Sequence, residues 1–218
     1  MRRNGRAISG FLAALMFLTA CTSRLHRAIR RGDVSRVSEL LDHGANPNNY
    51  VHWYGKPLDL AAGHCNRDII SLLLNHGAST TDYSAESSLR TAVHLCDEDI
   101  VHLYLGEGID ANGSYYLGPT ILTSAVERGD LQIISVLLDH GANPNKEGKY
   151  DRYVRPREAE SYPLLLAVKL GRLDIVRLLV SRGANPSIRD STGLTALSIA
   201  ARGGYVEIES FLRSQGAI

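Results

Sequence analysis

The segment Leu131–Asn145, with the sequence LQIISVLLDHGANPN, decides the fold of this chain. Its apolar run Ile133–Leu138 places hydrophobic side chains at i, i+3 and i+4, which is the spacing of one helix face. Gly141 supplies the left-handed position at which helices commonly end, and Asn143–Asn145 form an Asn-Pro-Asn turn signal. The segment therefore predicts a short amphipathic helix that ends in a loop.

This pattern recurs along the chain. A Gly-Ala pair or one variant of it closes each unit, and successive glycines are 33, 31, 33, 42 and 33 residues apart. The pairs are Gly44-Ala45, Gly77-Ala78, Gly108-Ile109, Gly141-Ala142, Gly183-Ala184 and Gly216-Ala217. A second landmark keeps the same series, at Ala28, Ala61, Ala92, Ala125, Ala167 and Ala200. Because one helix pair cannot bury its apolar face alone, we expect the units to stack into an all-α solenoid.

The repeating unit resembles the ankyrin repeat. Pro57-Leu58 and Tyr162-Pro163-Leu164 stand where that family has Thr-Pro-Leu-His, and Gly44–Asn48 stands at its Gly-Ala-Asp-x-Asn. The resemblance covers about residues 23–218 and implies an all-α ankyrin-repeat solenoid of about six helix-turn-helix repeats with extended finger loops. The implied repeats are approximately 23–48, 56–81, 87–112, 119–145, 161–187 and 194–218.

The sequence departs from the family pattern at its inter-helix glycine and in two loop lengths. Cys65 and Cys96 replace that glycine, two residues are missing between repeats two and three, and nine extra residues lie between repeats four and five. An oxidising compartment would permit a disulfide between the two cysteines. Helix layers nevertheless lie about 8–10 Å apart, beyond the roughly 7 Å between Cα atoms that a disulfide can span. We therefore expect these two residues to remain unbridged.

Residues 1–20 resemble a bacterial lipoprotein signal peptide. Arg2, Arg3 and Arg6 precede the apolar segment Ala7–Leu18, which as a helix of about 18 Å is too short for the roughly 30 Å hydrocarbon layer. The exit Leu18-Thr19-Ala20-Cys21 resembles a lipobox, which implies removal of residues 1–20 and acylation of Cys21 by fatty acids such as palmitate. The alternative is an ordinary export signal with a chance cysteine. Both interpretations predict export, and the lipobox places the mature chain on the periplasmic side of the bacterial envelope, at the inner or the outer membrane.

The composition argues against nucleic-acid binding and against enzyme chemistry. The chain has 24 basic and 23 acidic residues, and removal of residues 1–20 would lower the formal charge from +1 to −2. Backbone binding to nucleic acid needs a clear excess of Lys and Arg. No catalytic, metal-binding or cofactor motif stands out, so we expect no catalytic residue, no metal and no cofactor. His43, His76 and His140 each precede the glycine of a repeat, which favours capping of helix carbonyls over metal binding.

Aromatic and arginine side chains concentrate in the predicted finger loops, which makes these loops the candidate partner-binding surface. Aromatic residues and Arg are enriched in binding hot spots, and the alternative is that some of these tyrosines pack between adjacent fingers. The predicted partner-binding residues are Tyr50, Trp53, Tyr54, Tyr83, Tyr115, Tyr116, Tyr150, Arg152, Tyr153 and Arg155. The last four lie in the inserted loop from Lys146 to Glu158, and long loops in compact domains are usually functional or disordered.

The first predicted helix carries Arg24, Arg27, Arg30 and Arg31, close to the proposed anchor. These arginines would either face lipid phosphates or supply the polar outer surface that every end repeat needs. The sequence leaves both interpretations open.

The sequence predicts an exported, lipid-anchored protein-binding module that acts as a monomer or in a one-to-one complex. By analogy with exported bacterial ankyrin lipoproteins, the most specific hypothesis is that the chain is an immunity protein, which neutralises a secreted antibacterial toxin such as a phospholipase. The alternative is a scaffold or accessory factor for a periplasmic enzyme or an envelope complex.

Overall fold

The computed structural model describes residues 24–113, 118–148 and 162–217. Within these ranges the regular structure is helical, with two isolated β-bridges in loops. The helices are α1 (24–30), α2 (Val34–Asp42), α3 (Pro57–Ala62), α4 (Arg67–Asn75), α5 (Tyr83–Leu95), α6 (Glu98–Gly106), α7 (Ile121–Arg128), α8 (Leu131–Asp139), α9 (Pro163–Lys169), α10 (Leu173–Ser181), α11 (Ala196–Gly203) and α12 (Val206–Ser214). The described helices form six consecutive helix-turn-helix pairs, so the predicted all-α fold class is confirmed.

The second helix of most pairs begins at an Asx cap. Side chains of Asp33, Asn66, Asp97 and Asp130 accept hydrogen bonds from backbone amides in the first turns of α2, α4, α6 and α8. Such a cap satisfies one of the amides that a helix start leaves unpaired. The helices then end at the predicted glycines, which adopt positive φ angles. The ends of the second helices are therefore encoded locally.

The chain forms two compact units, residues 24–91 and residues 92–217 of the described chain, and α5 crosses the boundary. In the first unit α4 packs against both α2 and α3. In the second unit the first helices α7, α9 and α11 pack on one another in succession, and the second helices α6, α8, α10 and α12 do the same. Two layers of helices thus enclose the core of this unit.

The alanine landmark of the sequence lies in the core. All six alanines are buried: Ala28, Ala61, Ala92, Ala125, Ala167 and Ala200. Branched apolar side chains of the second helices, such as Ile133 and Leu137 of α8, are fully buried beside them. Close packing of helices requires a small residue at the point of contact, which explains why the alanine recurs with the repeat.

Both Cys65 and Cys96 are disulfide-bonded, so the expectation that they remain unbridged is wrong. That expectation used the separation of helix axes. Cys65, however, lies between α3 and α4 with a φ of 50°, and it is the one non-glycine residue of the described chain with a positive φ. Because a turn residue is not held on a helix face, the separation of helix axes does not fix where its sulfur lies.

Candidate functional site

The first finger, residues 49–56, is a short hairpin whose tip carries aromatic side chains. Val51 and Gly55 form a β-bridge, with N–O distances of 3.0 Å from the Val51 amide and 2.9 Å from the Gly55 amide. Gly55 closes the turn with a φ of 70°, a conformation that favours glycine. Three ring-bearing residues, His52, Trp53 and Tyr54, lie between the two bridged positions.

The aromatic side chains of the first finger face solvent. Trp53 is 85% exposed, Tyr50 is 64% exposed and Tyr54 is 42% exposed. The ring of Trp53 lies 4.9 Å from that of His52, a tilted contact within the finger itself. With these exposed fractions, the first finger offers a large apolar contact area to solvent.

Helix α1 holds the first finger in place. Arg30 Nη1 donates a 3.0 Å hydrogen bond to the Tyr54 hydroxyl, and its guanidinium lies 5.2 Å from the centre of the Tyr54 ring. His26 is buried, and its Nε2 donates to the Gly55 carbonyl at 3.2 Å. A hydrogen bond, a cation–π contact and a buried histidine thus fix the finger against the helix.

Tyr83 lies at the start of a helix instead of in the second loop. It is the first residue of α5 and is 54% exposed. The shortened second loop explains the difference, because α5 begins immediately after Asp82, whose side chain accepts from the Ala85 amide at 3.0 Å. Tyr83 is therefore presented by a helix end, with its ring still in contact with solvent.

A polar cluster positions this helix start against α3. Lys56 Nζ forms an ion pair with Asp82. Burial alone would raise the pKa of Asp82, but hydrogen bonds from Lys56 and from the Ala85 amide outweigh it and hold that pKa below its usual value. Asp59 accepts from the hydroxyls of Ser84 at 2.6 Å and Ser88 at 2.7 Å. The cluster joins α3 to α5 within the first unit.

Three loops are each clamped to the next repeat by one asparagine, a role that the sequence pattern alone does not assign. The side-chain carbonyl of Asn48 accepts from the Ser79 amide at 2.7 Å, while its Nδ2 donates to the Gly77 carbonyl at 2.7 Å. Asn112 bonds Asn143 and Gly141 in the same way, and Asn145 bonds Asn185 and Gly183. The signal that could have found this role is the recurrence of a polar residue at this position.

Histidines cap three of the second helices, as the sequence predicts. Their Nδ1 atoms lie 2.7 Å from Glu39 O for His43, 2.8 Å from Leu72 O for His76 and 2.9 Å from Val136 O for His140. Each carbonyl lies in the last turn of its helix and also accepts from the backbone amide of the same histidine, at 3.2 Å for His43 and at 3.1 Å for His76 and His140. The ring nitrogen therefore adds a second hydrogen bond to a carbonyl oxygen that can accept two. Within the described chain no group of three His, Cys, Asp or Glu residues is placed to hold a metal ion.

Several predicted site residues lie outside the described part of the chain. They are Cys21, Tyr115, Tyr116, Tyr150, Arg152, Tyr153 and Arg155. The structure thus brings Tyr50, Trp53 and Tyr54 together on one finger and places Tyr83 at a helix start in the same unit. None of the described helices is long and apolar enough to cross a membrane.

The sequence matches models of ankyrin repeats over most of its length. A model of three ankyrin repeats matches residues 89–190 and 151–218, and a single-repeat model matches residues 23–51. An ankyrin repeat protein of fowlpox virus is 32% identical over 126 residues, which cover 56% of this chain and 29% of that protein. The first four curated relatives are matched over only 21% to 29% of their own lengths.

Solved structures show the same architecture. An ankyrin repeat domain from Acinetobacter baumannii superimposes with a TM-score of 0.77 at 27% identity, over 89% of this chain and 98% of that one. The ankyrin repeat domain of Bcl-3, a member of the IκB protein family, gives a TM-score of 0.76 at 25% identity, over 89% of this chain and 86% of that one.

Proposed function

Because the chain belongs to the ankyrin-repeat family, whose repeats form protein-binding modules, we propose that it is an exported, lipid-anchored module that binds one partner protein. The observation that carries the binding role is the exposure of Tyr83, a large aromatic side chain presented at the start of α5. Aromatic anchors dominate the energetics of protein interfaces because they bury a large area for few rotatable bonds.

The way in which the loops are held supports the binding role. The asparagine clamps at Asn112 and Asn145 join the bases of the later loops to the next repeat. A loop that is already ordered loses little conformational entropy when it binds, so more of its contact energy appears as affinity. The fingers are thus suited to tight and specific recognition.

Two features support export and anchorage. The first is the sequence of residues 1–21, with its basic start, short apolar segment and Leu-Thr-Ala-Cys exit. The second is that Cys65 and Cys96 are disulfide-bonded, since disulfides persist in oxidising compartments such as the bacterial periplasm and are rare in the cytosol. We propose acylation at Cys21 and a periplasm-facing location.

We further propose that the partner is a secreted antibacterial toxin that attacks membrane lipid, such as a phospholipase, and that the chain is its immunity protein. A short tether would hold the module at the surface where such a toxin acts. The competing proposal is a scaffold for a periplasmic enzyme, which would bind more weakly and would not protect cells. The two proposals are distinguished by growing a strain that lacks the gene together with toxin-producing siblings. If the chain is an immunity protein, the deletion strain is killed, and if it is a scaffold, the deletion strain survives.

The contact surface is tested by alanine substitution at Tyr83, Tyr115, Tyr116 and Tyr153 in the full chain. We expect the affinity for the co-purified partner, identified by mass spectrometry and measured by calorimetry, to fall at least about 100-fold, equivalent to about 3 kcal/mol. Leu170→Ala serves as the control, because this exposed residue lies at the end of α9 and away from the fingers. Unchanged affinity of the tyrosine variant, with the fold retained, would refute the surface.

A further inference from the structure

The outer face of α1 is a row of arginines. Arg24, Arg27 and Arg30 recur every three residues, Arg31 follows directly, and all four are exposed. The residues between them, among them Leu25 and Ile29, are buried. The helix therefore presents three guanidinium groups on one side and packs into the core with the other, and Arg31 adds a fourth directly after its end.

These charges are not neutralised within the described chain. No described carboxylate pairs with Arg24, Arg27 or Arg31, and Arg30 bonds the hydroxyl of Tyr54. The nearby Asp33 side chain is engaged as the cap of α2, where it accepts from the Arg36 amide. The row is a local concentration of positive charge in a chain that is otherwise close to neutral.

The same arginine row is continuous with the first finger. Through Arg30 and Tyr54, whose contact is 3.0 Å, the row adjoins the hairpin that carries Tyr50 and Trp53. We call these seven residues, Arg24, Arg27, Arg30, Arg31, Tyr50, Trp53 and Tyr54, the basic-aromatic surface. Guanidinium groups bind phosphate oxygens through paired hydrogen bonds, and Trp and Tyr concentrate where an apolar layer meets water.

We propose that the basic-aromatic surface contacts the headgroup layer of an anionic phospholipid bilayer, with Trp53 inserted at the interface. The occupant follows from charge complementarity and from the chain that precedes α1. Cys21 and the apolar segment Ala7–Leu18 come directly before Arg24, and three residues span at most about 10 Å. A bilayer held at Cys21 would therefore lie within reach of this surface.

This inference rests on the proposed lipid anchorage and refines the proposed function. It assigns the first finger to the bilayer and leaves the partner protein to Tyr83 and to the predicted loop residues Tyr115, Tyr116, Tyr150, Arg152, Tyr153 and Arg155. The bilayer contact and the partner contact would thus use different residues of the chain.

Trp53 is the only tryptophan of the chain, so its fluorescence reports on the first finger alone. The full chain is titrated with vesicles of phosphatidylglycerol mixed with phosphatidylcholine, with vesicles of phosphatidylcholine alone, and with both types carrying brominated acyl chains. We expect a blue shift and bromine quenching of Trp53 with the anionic vesicles, and a much weaker response with phosphatidylcholine. Because residues 1–20 contain no tryptophan, the emission reports the environment of Trp53 and not that of these residues.

The charge contribution is tested with the triple variant Arg24→Gln, Arg27→Gln and Arg31→Gln. Each arginine near an anionic surface is worth about a fivefold change in partitioning, so the vesicle concentration that half-saturates the Trp53 response should rise on the order of 100-fold. The matched control, Lys169→Gln, Arg189→Gln and Arg202→Gln, removes the same charge from exposed positions of the second unit. A control that loses the response as strongly would show unspecific charge attraction and overturn the proposal.

Unchanged Trp53 emission with anionic vesicles would also overturn the bilayer contact. If Trp53→Ala then abolishes partner capture, the first finger is a protein-binding loop, and the proposed function stands without the bilayer contact. If instead Trp53 is quenched by brominated lipid and Trp53→Ala leaves partner capture intact, the first finger contacts the bilayer and other residues bind the partner. The two proposals therefore fail under different results.

Discussion

At the scale of single residues, His76 makes two hydrogen bonds that together require a protonated ring. Its Nδ1 lies 2.8 Å from the Leu72 carbonyl, and its Nε2 lies 3.2 Å from an Asp42 carboxylate oxygen. Both partners are acceptors, so the imidazolium with two N–H groups satisfies both. The bond to the Leu72 carbonyl, with that to Asp42, raises the pKa of His76 above its ordinary value of 6.5.

The raised pKa predicts a stability that depends on pH. Its contribution is fully present below about pH 6.5, where the unfolded chain also binds the proton, and is lost as the pH rises through the higher pKa of the folded state. We therefore expect His76→Gln to lower the free energy of unfolding, measured in urea, more at pH 6 than at pH 9. In the Asp42→Asn background this difference should shrink, and an equal cost of His76→Gln at both pH values would contradict the assignment.

Cys65 shows where residue-level reasoning from the sequence ends. It replaces the inter-helix glycine of the family, and its backbone has the left-handed conformation that favours glycine, with a φ of 50°. The disulfide was missed because helix spacing was applied to a residue that no helix holds. A repeat pattern locates a residue along the chain, but the direction of a turn side chain depends on tertiary packing.

At the scale of elements, the helices were predictable and the contacts that align the loops were not. Apolar spacing and recurring glycines predict helix pairs, and histidine caps follow from position alone. Asn145 was interpreted only as part of a turn, because its two bonds go to Gly183 and Asn185 of the following repeat. A partner 38 or 40 residues away leaves no mark on the residues next to Asn145. Only the recurrence of asparagine at Asn48, Asn112 and Asn145 indicates the contact.

The clamp predicts the effect of removing its side chain. Asn145→Ala deletes a 2.9 Å bond to the Gly183 carbonyl and a 2.7 Å bond from the Asn185 amide. Both bonds are exposed, so we expect a loss of about 1–2 kcal/mol in the free energy of unfolding. Asn185→Ala is the matched control, since the side-chain oxygen of Asn185 accepts only from the local Ser187 amide at 2.9 Å. An equal cost of both substitutions in urea denaturation would show that the clamp adds nothing beyond local turn structure.

At the scale of the whole molecule, a repeat architecture confines the effect of a core substitution to its neighbours. Leu137 of α8 is fully buried, and α8 packs against α6, α7 and α10. Stability in such a chain is approximately a sum over repeats and their nearest neighbours. A substitution in the second unit should therefore loosen that unit first.

Leu137→Ala should cost about 2–5 kcal/mol and speed amide hydrogen exchange in α6 to α10, while α2 to α4 keep their protection. Leu73 is also fully buried and occupies the matching position of α4, so Leu73→Ala should give the opposite pattern. Exchange that rises evenly along the chain in either variant would mean that the molecule opens only as a whole.

Because of the clamp at Asn145, the alignment of two adjacent repeats does not depend on the length of the loop that joins them. Asn48 reaches the Gly77 carbonyl across 29 positions at 2.7 Å, and Asn145 reaches the Gly183 carbonyl across 38 positions at 2.9 Å. Nine additional residues are thus accommodated between two fixed ends without a change in the closing bonds. The inserted loop from Lys146 to Glu158 can therefore be lengthened, shortened or replaced, by evolution or by design, while the helices on either side keep their register.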